Sequence, residues 1–310
     1  MTTLNQSKNW KVLALFFFAI IIFTQVFDVT ITSKLSFLRS YFSDNSELAT
    51  DSISDKIDIT AITSQVISRD GVVLPITWGD LGKQMIKDGV IDEAKFRALF
   101  EGGLSNLDEQ VLTGKVDEPI VLSENNARFM LDMLWAFGLA NKNDILETGE
   151  MTDTQYGGAQ NFASTGGWSL SKGTGFSHYS KHSYLVLTQD QQALVDKVSR
   201  NIYRPCCGNS THFPDCNHGM AMLGLLELMV STGISEAEMY KVALQVNSYW
   251  FPQTYIDLAT YFKEQGTNWS EVDPKTVLSA EYSSAQGYQT TRQKIQSLPK
   301  LEQSGSGCGA

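Results

Sequence analysis

The stretch FPDCNHGMAMLGLLELMVSTG, residues 213–233, decides the fold class of this chain. Its second half is almost entirely apolar, which is typical of a helix buried on every side. Asp215 or Asn217 is a suitable N-cap for this helix, and Gly233 is a suitable C-cap. The stretch therefore predicts a central buried helix in a mainly helical protein. Glu227 interrupts the apolar run, and we expect it to be exposed; the alternative is a buried partner of a nearby site.

Cysteine and histidine are concentrated around the start of this helix. The chain has four residues of each type, and residues 206–218 contain Cys206, Cys207, Cys216, His212 and His218. Cys216 and His218 are predicted at the helix N-terminus, where free N–H groups and the helix dipole favour a thiolate over a thiol. We therefore expect Cys216 to be the most reactive cysteine of the chain.

This donor set predicts a metal site. Thiolate and imidazole ligands suit zinc, copper(I) or iron. The expected ligands are Cys206, Cys207, Cys216 and His218, with His212 as a further candidate. The spacing does not specify the metal, because there is no CxxC pair and Asn217 separates the third cysteine from its histidine.

Cys308 is the fourth cysteine, and it lies in a glycine- and serine-rich tail at residues 298–310. Such a tail is flexible, and when extended it spans about 35 Å. We therefore expect that Cys308 can complete the metal site; the alternative is a free tail thiol. Two disulfides explain the cysteines equally well, one joining Cys206 or Cys207 to Cys216 and one joining the other to Cys308.

His178 and His182 are the remaining histidines, spaced four residues apart in FSHYSKHSY. On a helix this spacing puts both imidazoles on one face, which suits a metal ion. The serines and nearby glycines make a solvated loop the alternative. The pair follows a glycine-rich segment, residues 149–176, which is either a surface insertion or an ordered loop over a site.

Local signals predict a small β element at residues 57–76 within a helical region that extends to residue 297. Ile57, Ile59 and Ile62 are spaced to line a strand, and Asp70-Gly71 predicts a hairpin turn before the next one. Capping residues and apolar spacing predict the helices. These cover residues 80–88 and 92–100, a longer helix capped by Ser123, one from Thr188 to Pro205, one from Ser235 to Trp250, residues 253–264, one starting at Asp273, and residues 285–296.

The N-terminal region is distinct. Residues 12–23 are uninterrupted apolar and follow Lys8 and Lys11. Because about 20 helical residues cross a bilayer, we predict a transmembrane anchor at residues 12–31, after a cytoplasmic N-terminus at 1–11 and before a polar stalk at 32–56. A cleaved signal peptide is the alternative. In both cases the rest of the chain is predicted to lie outside the cytoplasm.

The composition of the chain excludes some classes of function. The net charge of −10 argues against a nucleic-acid partner, which requires a basic surface. The sequence therefore predicts a membrane-anchored, extracytoplasmic metal-binding protein that stores, senses or transfers a metal ion or uses it structurally, with the membrane as its partner. We favour binding over catalysis. The alternatives are a thiol–disulfide redox protein, in which Cys216 attacks and another cysteine resolves, and a disulfide-stapled envelope interaction protein.

Overall fold

The protein is mainly helical in the computed structural model, which describes residues 58–296. Two short strands, β1 (Val72–Leu74) and β2 (Ile120–Leu122), pair antiparallel. The α-helices of the described range, in chain order, are α1 (Ile59–Val66), α2 (Leu81–Asp88), α3 (Glu93–Ala98), α4 (Asn106–Thr113), α5 (Ala127–Ala140), α6 (Asp144–Thr148), α7 (Ala163–Gly166), α8 (Gln189–Ser199), α9 (Asn217–Ser231), α10 (Glu236–Trp250), α11 (Pro252–Glu264), α12 (Pro274–Val277), α13 (Ala280–Ser283) and α14 (Ala285–Arg292).

Helix α9 is the centre of this region, as its apolar sequence predicts. Every residue from Asn217 to Val230 is buried, and the helix packs most extensively against α5, which is almost as completely buried. The two helices cross at a pair of glycines: a Cβ atom on Gly224 would lie 2.7 Å from the carbonyl oxygen of Leu134, and one on Gly138 would lie 2.2 Å from that of Met220. This close backbone approach requires glycine at the crossing.

Glu227 is buried, so the expectation of an exposed position is wrong. Because α9 is covered on all sides, it has no solvent-facing stripe, and Glu227 is 0 % exposed. Its Oε2 accepts a hydrogen bond from Nδ2 of Asn141, and its Oε1 has no hydrogen-bond partner among the described residues. Burial raises the pKa of Glu227 to about 8, despite the amide groups of Asn141 and Asn143 that favour the ionised form.

The predicted β element is only partly correct. Residues 59–66 form helix α1 rather than a strand, because Asp58 caps them by accepting hydrogen bonds from the N–H groups of Thr60 and Ala61. Ile62 and Val66, four residues apart, form the buried face of this helix. The turn at Asp70-Gly71 does not close a hairpin, since β1 pairs with β2, far along the chain.

Most other helix predictions are confirmed to within a few residues. Thr188 and Gln191 form the predicted capping box at the start of α8, and Ser235 accepts a hydrogen bond from the N–H of Glu238. The helix assigned to Ser123 begins later, because Asn126 is its N-cap. Helix α8 ends at Ser199, before the predicted stop at Pro205, and the glycine-rich segment contains short 3-10 turns and α7.

Among residues 58–296, no helix is both long and apolar enough to cross a membrane. The predicted N-terminus at 1–11, the anchor at 12–31 and the stalk at 32–56 lie outside the described residues, as does the tail at 298–310 with Cys308.

Candidate functional site

The loop between α8 and α9, residues 200–216, is organised around a buried arginine. Arg204 is only 1 % exposed. Its guanidinium donates hydrogen bonds to the carbonyl oxygens of Asn209 and Phe213, at 3.0 and 3.1 Å, and to Oδ1 of Asp215 at 2.6 Å. Its Nε lies 3.0 Å from Sγ of Cys216. Because a buried cation is costly unless it is paired and hydrogen-bonded, these contacts fix the course of the loop.

Cys216 is the N-cap of α9, and its sulfur is the most anionic of the three described thiols. Its pKa is held well below the usual range by hydrogen bonds from Cys206 and Cys207, by the Arg204 guanidinium and by His218. This agrees with the thiolate that the sequence predicts for a cysteine at a helix N-terminus. The Sγ atoms of Cys216 and Cys206 are 3.6 Å apart.

The neighbouring thiols are biased toward the protonated form. The pKa of Cys206 is raised by its contacts with Cys207 and Cys216 and by burial. Contact with Cys206 lowers the pKa of Cys207, but the contact with Cys216 and burial outweigh it and raise that pKa to about 11. The contacts within the cluster therefore favour the thiolate at Cys216 and the thiol at the other two cysteines, and all three cysteines are free and partly exposed.

Two overlapping sets of potential ligands share Cys216. Cys206, Cys216 and His218 place two sulfurs and a ring nitrogen within 4.8 Å of one another, and Cys207, Asp215 and Cys216 form a second such set. Both carboxylate oxygens of Asp215 are already engaged, one by Arg204 and the other by Nδ2 of Asn209. Asp215 is therefore better suited to orient the arginine than to bind an ion.

His218 is held rigidly beside the sulfurs. It is 7 % exposed and packs against the rings of Trp250 and Phe251, with centroid distances of 5.8 and 4.4 Å. Its Nδ1 is buried and has no hydrogen-bond partner among the described residues. A buried ring nitrogen without a partner is unusual in a folded protein, and ligand binding is one way to satisfy it.

His212 lies apart from these two ligand sets. Its Nδ1 is 2.6 Å from Oε2 of Glu150, and its Nε2 is 2.8 Å from Oδ1 of Asp196, which also pairs with Arg200. Both ring nitrogens are thus used by carboxylates. His212 lines one end of a cleft of about 580 Å³, together with Asp196 and Arg200.

His178 and His182 form a hydrogen-bonded pair rather than two residues of one helix. His178 ends a 3-10 turn, and Ser180 has a positive φ of 50°, so helical spacing does not apply. Nδ1 of His178 lies 3.2 Å from Nε2 of His182, whose Nδ1 is 3.7 Å from Asp88. Nε2 of His178 is bonded to the carbonyl oxygen of Lys172. The facing nitrogens are thus within hydrogen-bond distance, and neither His178 nor His182 belongs to a ligand set with the cysteines.

Sequence reasoning missed Arg204 and identified Asp215 only as a candidate helix cap, although each lies beside a predicted ligand. Arg204 comes two residues before Cys206, and Asp215 directly precedes Cys216. The signal in the sequence was the position of Arg204, a cation beside cysteines that are predicted to ionise. Their mutual contact was not readable, because it depends on the fold of the intervening loop.

Comparisons with protein-family models, with curated proteins and with solved structures find no match for this chain. Function is therefore inferred from the geometry of the cluster.

Proposed function

We propose that this protein binds a thiophilic metal ion, zinc in the first place, through Cys206, Cys216 and His218. The observation that carries the proposal is the convergence of two sulfurs and a ring nitrogen within 4.8 Å. Two thiolates and an imidazole form a typical zinc donor set, and the same set can hold copper(I) or iron.

The distances support tetrahedral coordination. Two sulfurs bound to one tetrahedral zinc ion lie about 3.8 Å apart, since each Zn–S bond is about 2.3 Å long. The sulfurs of Cys206 and Cys216 are separated by 3.6 Å. The unpartnered Nδ1 of His218 supports the same conclusion, because a metal ion is a partner that an imidazole nitrogen can bind.

The charges around the cluster also favour a cation. The positive charge of Arg204 is matched by Asp215, so the Cys216 thiolate remains as excess negative charge. A divalent ion would balance it and would also stabilise the deprotonated form of Cys206, whose pKa is raised in the metal-free cluster. Binding is therefore expected to release protons.

Cys207 is the nearest candidate for a fourth ligand, because its sulfur lies within 4.8 Å of that of Cys216. Cys308 is the other candidate and stays a prediction. Since all three described thiols are partly exposed, we propose a site that exchanges its metal with solution, as metal sensing, storage or transfer requires. We further propose that this site acts outside the cytoplasm, on a chain anchored by residues 12–31.

The proposal is tested by purifying the full-length chain without a histidine tag, under anaerobic reducing conditions, and measuring bound metal by elemental analysis and zinc affinity by competition with a chelator. We expect one zinc ion per chain, lost in Cys216→Ser and weakened about tenfold or more in His218→Gln. His178→Gln is the matched control, because its histidine pairs with His182 instead, and it should bind zinc like the parent chain.

Cys308→Ser in the same assay decides between the two candidate fourth ligands: an unchanged affinity assigns the position to Cys207. The proposal is refuted if the fully reduced chain binds no zinc, copper(I) or iron, or if Cys216→Ser retains the ion. The location is tested by protease treatment of cells whose outer envelope is opened while the cytoplasmic membrane stays sealed. Digestion of the region after residue 57 supports the proposed location, and protection until the cytoplasmic membrane is lysed would place the region in the cytoplasm and overturn that part.

A further inference from the structure

We infer that the metal site is also a redox switch, in which a disulfide between Cys206 and Cys216 forms at the expense of the bound ion. The inference rests on the proposed metal site and adds its regulation. It singles out one pair among the four cysteines, and this choice follows from the geometry of the loop.

The pair is chosen by distance and direction. The sulfurs of Cys206 and Cys216 are in van der Waals contact at 3.6 Å, so the approach to a bond of about 2.05 Å is short. The sulfur of Cys207 also lies within 4.8 Å of that of Cys216, but its contacts are with Oδ1 of Asp215 at 3.7 Å and with the carbonyl oxygen of Asn209 at 4.0 Å. A bond between the adjacent Cys206 and Cys207 is strained. Cys206 is therefore the resolving partner.

Neither cysteine of the pair is fully buried. Cys206 and Cys216 are partly exposed, although the arginine and histidine beside them are buried. A small disulfide in solution can therefore approach the Cys216 sulfur from the solvent side. Nε of Arg204 holds this sulfur from the protein side at 3.0 Å, so the arginine acts as a positioning residue for the attack.

The reaction is a two-step thiol–disulfide exchange with a low-molecular-weight disulfide, RSSR, as the oxidant. The Cys216 thiolate attacks one sulfur of RSSR; a mixed disulfide forms and RS⁻ leaves. The Cys206 sulfur, which is already deprotonated as a ligand of the ion, leaves the ion, attacks the Cys216 sulfur and displaces the second RS⁻. Two electrons pass from the cysteine pair to RSSR, and the two RS⁻ groups take up protons from water as their pKa values require.

The metal ion leaves because this oxidation removes two anionic ligands at once. His218 and at most one further sulfur, from Cys207 or Cys308, remain, and these are too few protein ligands for a stable tetrahedral site. Reduction of the disulfide restores both thiolates and the affinity for the ion. Metal occupancy and the disulfide are thus mutually exclusive states of one loop.

The experiment uses the full-length chain, reduced and loaded with zinc, and treats it with hydroxyethyl disulfide. Released zinc is followed with a chromogenic chelator, and disulfides are mapped by mass spectrometry of peptides. We expect one zinc ion released for each Cys206–Cys216 disulfide, and rebinding after reduction. His178→Gln is the matched control, because His178 pairs with His182 and belongs to no ligand set with the cysteines, and it should release zinc with the same stoichiometry as the parent chain.

Every result of this experiment either supports or overturns the redox switch. Release of zinc with a Cys207–Cys216 disulfide, release without any disulfide within the loop, or retention of zinc after the Cys206–Cys216 bond has formed would each overturn the switch. A Cys206→Ser chain that stops at the Cys216 mixed disulfide supports it. Failure of the metal site itself is seen separately, as a reduced chain that never loads zinc before the oxidant is added.

Discussion

The buried carboxyl group of Glu227 allows a direct test of how an ionisable group in the core affects the free energy of unfolding. Its carboxyl group is fully buried in α9 and is hydrogen-bonded to Asn141, while its second oxygen has no partner among the described residues. The substitution Glu227→Gln keeps the shape and the acceptor for Asn141, and it removes the ability to ionise. We expect the substitution to be nearly neutral in acid and strongly stabilising at neutral and alkaline pH.

The magnitude follows from the pKa. Burial raises the pKa of Glu227 from 4.5 to about 8, so the folded state keeps the proton that the unfolded chain releases above pH 4.5. The stabilisation of the native chain is thus complete below pH 4.5 and is lost as the pH rises to about 8. Each pH unit in this window lowers the free energy of unfolding by about 1.4 kcal/mol, which amounts to about 3 kcal/mol at pH 7.

The assay is urea unfolding of the full-length parent and variant chains at pH 5, 6, 7 and 8, followed by circular dichroism. The difference between the two free energies of unfolding isolates Glu227, because other buried carboxyl groups, such as Asp132 with a pKa raised by burial to about 7, are common to both. Thr188→Ala, which removes no ionisable group, is the control and should give a difference that does not vary with pH. Parallel pH curves for the parent and Glu227→Gln would refute the reasoning.

Three further predictions concern the site and the helices around it. In the metal-free reduced chain, Arg204→Met should shift the pH midpoint of Cys216 alkylation by iodoacetamide upward by about one unit or more, because the thiolate loses its guanidinium; an unchanged midpoint would mean that Arg204 does not stabilise it. Gly224→Ala should lower the free energy of unfolding by roughly 1–3 kcal/mol or more, since the new Cβ would meet the backbone of α5. Gly208→Ala is the control: its Cβ meets open space, and it should change the free energy of unfolding by less than about 0.5 kcal/mol. Thr188→Ala should cost about 1 kcal/mol in the same urea assay through loss of the capping box of α8.

The parts of the fold that were predictable depend on local physics. The capping boxes and proline starts define the helix beginnings within a few residues, because an N-cap satisfies donors of its own first turn. The apolar sequence of α9 correctly predicts its central position. The prediction for residues 59–66 fails because isoleucines at 57, 59 and 62 fit a strand and a helix equally well, and Asp58 decides between them by capping the helix.

The site was predictable in its residues but not in its contacts. Cys206, Cys216 and His218 are close in sequence, and the helix start that contains two of them is visible from the apolar run that follows. Glu227 shows the limit of this reasoning, since its exposure depends on which elements cover α9. His212 shows the same limit, because its partners Glu150 and Asp196 come from distant parts of the chain.

Arg204 holds the cluster of thiols in place through its own hydrogen bonds. Its guanidinium lies on the backbone of α9, where a Cβ atom on Gly219 would come within 2.5 Å of it. Its remaining donors bind two loop carbonyls, Asp215 and the Cys216 sulfur. These contacts come from the chain itself, so the arginine contributes order to the loop, whereas in a zinc finger the metal supplies that order. We propose that this arrangement lets the cluster exchange an ion, or a pair of electrons, while the helical core beneath it stays folded.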